Sequence, residues 1–301
     1  VQLTLTNWTN WQIFTEPTEV IAASIPVKDP AYLTQIELSP EMDPTWRTYA
    51  PIGISTLAEI GANSVQFTPQ WFFADGETAI HPRIGSTPFT YELQGMIASA
   101  KAYNLAVSLF PQVGSTDELA GYWVTEDHDA EWWQSWFADY SAFVLNYARI
   151  AANTGVDQLV LGGKAVLPAF PGGSFLDGSP TNVPDTINAD WEALIAQIRA
   201  IYTGKLVWAT NAQVSADPLP SFISRFDAIY VSVDAPLSSD GQTNSETFSA
   251  SFWNVIEEQV YPIYESTNLP IILALGYPST SDAIQGCLLV DEACTNDGLF
   301  L

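Results

Sequence analysis

The chain is 301 residues long and 47% hydrophobic, enough to bury one large core, and no linker divides it. Acidic residues outnumber basic ones 34 to 9, giving a formal charge of -25 and a pI near 4.1. With no Lys/Arg cluster to offset it, such a surface repels nucleic acid backbones and anionic membranes, and no run of roughly twenty apolar residues could span a bilayer.

Polarity comes from Ser, Thr, Asn and Gln rather than from Lys/Glu pairs, and eleven Trp raise the aromatic content to 13%. That composition suits an exported, extracellular or cell-surface protein that handles sugar, although an aromatic core alone would also account for it. A chain that begins at Val1 with no readable signal peptide is expected to be a processed or excised piece.

Residues 1–32 read as an N-terminal extension or cap, with strand-like runs at Gln2 to Thr6 and Glu19 to Ile25. Asn7-Trp8-Thr9 between them is formally a glycosylation sequon, a triplet that also arises by chance. From Leu33 the pattern becomes periodic. Leu33 to Leu38 is a strand, with Glu37 facing either the interior or solvent, and Thr48 to Ile60 is a helix stopped by Gly61. Ser64 to Thr68 is the next strand. A long aromatic loop follows, carrying Trp71, Phe72, Phe73, His81 and Arg83. Its rings could stack on sugar faces while His81 and Arg83 supply hydrogen bonds, or it could pack on itself.

Phe89 to Tyr103 is helical, with Asn104 placed to end it, and Leu105 to Phe110 is a third strand left through Pro111-Gln112-Val113-Gly114. In the stretch from Glu131 onward, Trp133, Trp136, Phe137, Tyr140, Phe143, Val144, Tyr147, Ile150 and Ala151 recur at steps of three and four. This predicts a long helix with one apolar face, stopped by Gly155. Asp157 to Gly162 is then a short apolar run suited to a strand buried on both faces. A Pro- and Gly-rich loop extends to Pro184, where Asp177 and Asp185 could offer oxygen ligands to Ca²⁺, but their spacing is not that of an EF-hand.

Ala189 to Tyr202 is an amphipathic helix, Leu206 to Thr210 a fifth strand ending at Asn211, and Phe222 and Ile223 mark a short helix. Ala228 to Val233 is a sixth strand, Phe248 to Tyr264 a helix and Pro270 to Leu275 a seventh strand. Strand and helix alternating at this spacing predict an α/β fold, a TIM (β/α)8 barrel over residues 33–301, with seven strands readable and the eighth missing or supplied elsewhere. No G-x-G-x-x-G follows an early strand, which speaks against a dinucleotide fold. His81 and His128 are the two histidines and lie far apart, so no His-based metal site is expected and no cofactor is implied. There is no G-x-S-x-G elbow.

Gly61-Ala62-Asn63-Ser64-Val65, Ala98 to Leu105, Gly155-Val156-Asp157-Gln158-Leu159, Trp191 to Tyr202 and Pro270 to Ser279 together resemble retaining (β/α)8 glycoside hydrolases, nearest to the endo-β-mannanase-like branch. The resemblance covers about Leu33 to Ser279. It implies a glutamate after the fourth strand as acid/base and another at the end of the seventh as nucleophile, because retaining chemistry needs two carboxyl groups about 5 Å apart. The fourth-strand motif, usually Gly-x-Glu, reads Gly162-Gly163-Lys164 here, and the seventh, usually Glu-x-Gly-Tyr, reads Ala274-Leu275-Gly276-Tyr277.

Lysine does not replace a carboxylic acid tuned near neutrality, and alanine cannot attack an anomeric carbon. The expectation is therefore a catalytically degenerate barrel that binds polysaccharide through Trp71, His81, Arg83, Lys164, Asn211, Asp234 and Tyr277, or that serves a structural surface role. The alternatives are an active hydrolase using displaced acids such as Asp234, and a subunit of an extracellular filament or surface layer. An ion pair between Lys164 and Asp234 is a further possibility, mainly structural. Cys287 and Cys294, close in sequence, are expected to form a disulfide if the protein is exported. The open eighth position could be filled by the N-terminal runs Gln2 to Thr6 or Glu19 to Ile25, but self-association or a further C-terminal segment is expected to complete the barrel.

Overall fold

The computed structural model of the chain describes residues 33–38, 46–73, 77–115, 128–175, 179–212, 219–233, 235, 237 and 245–276. Its longest helix is α3 (Ala130–Thr154), and the predicted apolar face of α3 is the buried one. Asp129 starts it by accepting a 2.8 Å hydrogen bond from the Trp132 amide, and Gly155 at φ 65° ends it in the left-handed region that favours glycine. The other helices are α1 (Trp46–Glu59), α2 (Thr90–Ala102), α4 (Ile187–Ile201), α5 (Ser245–Val255) and α6 (Tyr261–Thr267). Asn104 follows α2 at φ 60°, the role read for it from sequence. The last predicted helix is one rod in which a π-helical turn, Ile256–Val260, joins α5 to α6. Pro262 just beyond has no amide to donate, which breaks the regular ladder there. Among the described residues no helix is long and apolar enough to cross a membrane.

Nine strands are described: β1 (Gln35–Leu38), β2 (Ser64–Phe67), β3 (Gln70–Phe73), β4 (Ala106–Leu109), β5 (Gln112–Ser115), β6 (Gln158–Gly162), β7 (Lys205–Asn211), β8 (Ala228–Val233) and β9 (Ile271–Leu275). Seven of them form one sheet in the order β1-β2-β4-β6-β7-β8-β9, with every adjacent pair parallel. The sheet curls into an incomplete (β/α)8 barrel whose two edges stand 9 Å apart. Neighbouring strands lie about 4.8 Å apart, so the opening has the width of one further strand. No eighth strand lies among the described residues. The N-terminal runs Gln2 to Thr6 and Glu19 to Ile25 lie outside them.

Period-two alternation divides the apolar residues into two sets. Val65, Phe67, Val107, Leu109, Leu159, Leu161, Leu206, Trp208, Ile229 and Val231 point outward into the large layer shared with the helices. Phe110, Val160, Val207, Ala209, Ala228 and Tyr230 fill the barrel interior. At the amino ends of the strands one device is repeated. The side chains of Asn63, Asp157 and Asp227, each just before a strand, accept the amide of Thr34, Val107 and Leu206 at 2.8 Å in each case. Each bond pairs a donor at the sheet end that the ladder leaves free. Asp227 also holds Arg199 at 2.8 Å, and a surface hollow of about 420 Å³ lies beside this pair, at the end of the barrel opposite the one that carries chemistry in this architecture.

Two expectations are corrected. The segments after β2 and β4, read as loops from Trp71 and from Pro111, instead form a second, two-stranded parallel sheet, with Gln70 opposite Gln112 and Phe73 opposite Ser115. Pro69 and Pro111, which lack a donor, stand where each main strand ends and its continuation begins. The second concerns the disulfide: among the described residues there is none, and the expected Cys287 to Cys294 bridge is not upheld. Closeness in sequence does not supply the Cα separation and Cβ directions that a bridge requires. Both cysteines lie outside the described residues.

Candidate functional site

The carboxyl ends of the strands are where this architecture places its chemistry. Gly162 ends β6 at φ 94° and Gly163 follows at φ 90°, donating its amide to the Ala209 carbonyl at 2.9 Å. Lys164 then opens a 3₁₀ turn, Lys164–Ala169, where a loop was expected. Gly162 is in register with Ala209, and Asn211, two residues on, is in register with Ser232, which in turn faces Ala274 on β9. Asn211, Ser232 and Ala274 thus form one row across the strand ends, at the depth where Lys164 follows Gly162. Asn211 Nδ2 donates to Ser232 Oγ at 3.2 Å, and Ser232 Oγ to the Thr210 carbonyl at 3.3 Å. The row holds amide, hydroxyl and methyl groups and no carboxylate. Asp234 and Tyr277 lie outside the described residues.

The aromatic connection after β2 does not present its residues as one cluster. Trp71, on β3, turns toward α3, with its ring 5.4 Å from Phe143 and 6.0 Å from Tyr147, and is packed against the main core. Phe72 has the opposite parity. His81 bridges Phe72 through two 2.7 Å backbone hydrogen bonds, and the Arg83 guanidinium sits 5.6 Å over the Phe72 ring. His81 and Arg83 are exposed, while the loop beneath them is closed by its own contacts. Thr87 fastens its far end: its hydroxyl donates to the Gln70 carbonyl at 2.6 Å and accepts from the Arg83 amide at 2.9 Å. Among the described residues no group of three or more His, Cys, Asp or Glu could hold a metal ion.

The residue left open from sequence is the one carrying most of the interior chemistry. Glu37 is on β1, the edge strand, which gives the residue solvent access, while its carboxylate reaches among interior side chains. Gln66 Nε2 donates to Glu37 Oε2 at 2.8 Å, and the Tyr230 hydroxyl, from β8 across the barrel, donates to the same oxygen at 3.3 Å. Gln66 is fully buried and accepts from Gln35 Nε2 at 3.0 Å and Ser108 Oγ at 3.1 Å, while Ser64 Oγ donates to Gln35 at 3.0 Å. The five side chains around Glu37 form a connected network with few spare partners. The alternation of Gln35 and Glu37 with Ile36 and Leu38 was the signal that would have placed the acid inside.

Burial pushes the Glu37 carboxyl above the ordinary carboxylate range, against hydrogen bonds from Gln66, Tyr230 and Thr68 that act to lower it. The Tyr230 phenol is also pushed up, by burial first and by Glu37 next, so it stays a neutral donor. A carboxyl that holds its proton more tightly folded than unfolded stabilises the fold below its unfolded pKa, and that contribution is lost as pH rises through the folded one. Glu37→Gln is expected to remove this fall. Chemical unfolding of the variant from mildly acidic to neutral pH should give a flatter stability profile than wild type, and identical slopes would refute a perturbed Glu37.

Comparison with known proteins agrees with this architecture. The model of Glycoside Hydrolase Family 113 matches residues 44–169, less than half of the chain. Among solved structures, the family 113 β-mannanase of Alicyclobacillus acidocaldarius superposes with a TM-score of 0.63 at 22% identity, covering 84% of this chain and 72% of that one. Another family 113 β-1,4-mannanase gives a TM-score of 0.64 at 18% identity, covering 86% and 75%. No curated protein matches. The class is therefore a glycoside-hydrolase-like (β/α)8 barrel. Within that class the fold is similar to that of the family 113 mannanases, at low sequence identity.

Proposed function

We propose that this chain is an exported, glycoside-hydrolase-like barrel that has lost hydrolysis and retains binding of a neutral polysaccharide. One observation carries the reading: at the depth where the fold's relatives would place their carboxyl pair, the sequence supplies Lys164 and Ala274, and Ala274 stands in a row with Ser232 and Asn211. Retaining chemistry requires a proton donor and a nucleophile on opposite sides of the glycosidic bond, and neither an ammonium nor a methyl group supplies them. What such a face can still do is hydrogen-bond hydroxyl groups through Asn211 and Ser232 and exclude anionic polymers by the charge of -25.

The test is incubation with mannan and β-glucans, assayed for new reducing ends and, separately, for retarded migration in glycan-containing native gels. Retardation without reducing ends is expected. The double change Lys164→Glu with Ala274→Glu is expected to be the minimum that produces turnover on a bound glycan, with either single change inactive.

A second reading, hydrolysis by a displaced acid, is favoured by Glu37, whose carboxyl is held protonated further toward neutrality than usual, as a general acid requires. Cleavage by the wild-type chain that disappears in Glu37→Gln or in Asp234→Asn would select that reading over the first.

A further inference from the structure

We propose that the barrel is two half-sheets, hinged at the junction of β4 with β6 and latched across the open seam by the Tyr230 hydroxyl, so that the cleft between them widens and closes. The first half is β1, β2 and β4. Four side-chain hydrogen bonds stitch its inner face: Gln35 Nε2 to Gln66 Oε1 at 3.0 Å, Ser64 Oγ to Gln35 Oε1 at 3.0 Å, Gln66 Nε2 to Glu37 Oε2 at 2.8 Å and Ser108 Oγ to Gln66 Oε1 at 3.1 Å. The second sheet belongs to this half as well, since β3 and β5 continue β2 and β4 through Pro69 and Pro111. The second half runs from β6 to β9, and each neighbouring pair of its strands shares five register pairs. Each half is tied within itself, and the links between the halves are few.

Between β4 and β6 the ladder has two register pairs, Ser108 with Gln158 and Leu109 with Leu159. Asp157 pins the amino end of this junction, its Oδ2 accepting the Val107 amide at 2.8 Å and its own amide donating to the Val107 carbonyl at 2.9 Å. Toward the carboxyl face the strands part, β4 turning into β5 while β6 runs on to Gly162 beside β7. A ladder pinned at one end and short at the other is a pivot. The interior side chains change partners at the same line. Glu37, Gln66, Ser108 and Gln158 stand in one register row, yet the Ser108 hydroxyl is turned to Gln66, and Gln158 Oε1, on a residue 5% exposed, has no hydrogen-bond partner among the described residues.

On the other side of the barrel the halves face each other across the 9 Å seam, and among the described residues no backbone pairing joins β1 to β9. Tyr230 of β8 spans the interior instead. Its hydroxyl donates to Glu37 Oε2 at 3.3 Å and accepts from Gln66 Nε2 at 3.4 Å, and its ring meets Phe110 edge-on at 5.6 Å. Both bonds are longer than the roughly 2.8 to 3.0 Å typical of such pairs, which makes a latch that releases. Asn211 and Ser232 lie on the second half and Glu37 on the first, so the hinge sets the width between them.

The experiment measures the seam directly, as the distance between two nitroxide spin labels on the full chain in a Cys287→Ser/Cys294→Ser background. Labels at Ile52→Cys on α1 and Tyr264→Cys on α6, the helices that follow β1 and precede β9, report across the seam; labels at Ser224→Cys and Tyr264→Cys both report on the second half. Tyr230→Phe keeps the ring against Phe110 and removes the hydroxyl. It is expected to broaden the distance from Ile52 to Tyr264 and lengthen it by about 5 Å, one strand spacing, while the distance from Ser224 to Tyr264 stays as it was. Glu37→Ala tests the same bond from its other end and should shift the first distance in the same direction, whereas Glu37→Gln, which keeps an acceptor for the hydroxyl, should match the unsubstituted chain. Unfolding midpoints taken alongside show that each variant is folded. An unchanged distance from Ile52 to Tyr264 in both Tyr230→Phe and Glu37→Ala would mean that another contact holds the seam, and would overturn the latch. Broadening of both label pairs would mean that the barrel loosens as a whole, and would overturn the hinge.

Discussion

Replacing Trp191 by alanine is expected to remove about 4 kcal/mol of stability. Trp191 is fully buried on α4, where its ring meets five others: Phe137 at 5.3 Å, Tyr140 at 5.4 Å, Phe170 at 5.8 Å, Trp208 at 5.5 Å and Phe222 at 5.4 Å. Its indole N–H donates to the Ala169 carbonyl at 2.9 Å, so truncation also strands a buried acceptor. These partners come from α3, β7 and the connections after β6 and β7, and the hole left behind cannot close without moving all of them. A domain holds about 5 to 15 kcal/mol in total, so the variant should unfold at far lower denaturant than wild type. Trp191→Phe, which keeps most of the ring contacts and loses the hydrogen bond, should fall between the two. A midpoint for the alanine variant close to that of wild type would mean that this cluster does not hold the helical layer to the sheet.

The elements legible in the sequence are those whose physics is local. The apolar steps of α3, the stop at Gly155, the left-handed Asn104 and the short double-buried strand before Gly162 are each decided by neighbours a few residues away. The seven main strands and the open eighth position follow from repetition of that pattern. What was not legible depends on pairing between distant segments. The second sheet is an example: Thr68-Pro69-Gln70 and Phe110-Pro111-Gln112 carry the same Pro-Gln step after neighbouring strands, and the Gln112 amide donates to the Pro69 carbonyl at 3.0 Å. The shared step was the available signal. Once β3 is a strand rather than a loop, its parity sends Trp71 and Phe72 to opposite sides, which is why an aromatic run that looks like one sticky surface is divided between the core and Arg83. Glu37 shows the same limit. Its inward parity could be read from β1, but its partner Tyr230 is separated from it by 193 positions and is set by barrel closure alone.

The Gly162-Gly163 turn that delivers Lys164 to the strand ends makes the sharpest local prediction. Both glycines have positive φ, 94° and 90°, where a Cβ is strained whatever its surroundings. Their surroundings differ. A Cβ on Gly162 would stand 2.8 Å from the Ala209 carbonyl oxygen and 3.0 Å from Trp208 Cε2, on a neighbouring strand and a fully buried indole that have no room to give. A Cβ on Gly163 would meet Phe110 Cζ at 3.4 Å, an ordinary contact. Gly163→Ala should therefore cost only the backbone strain, about 1 to 2 kcal/mol. Gly162→Ala should add the cost of overpacking and of pushing β6 from β7, for about 3 to 5 kcal/mol in all. Equilibrium unfolding of the two variants side by side measures the difference directly. Gly162→Ala should also displace the Gly163 amide from the Ala209 carbonyl, so that in the Lys164→Glu/Ala274→Glu background it abolishes any turnover gained, whereas Gly163→Ala leaves part of it. Equal stability losses at the two positions would show that strain alone governs the turn and that the close approach of Gly162 to Ala209 and Trp208 is not what fixes it.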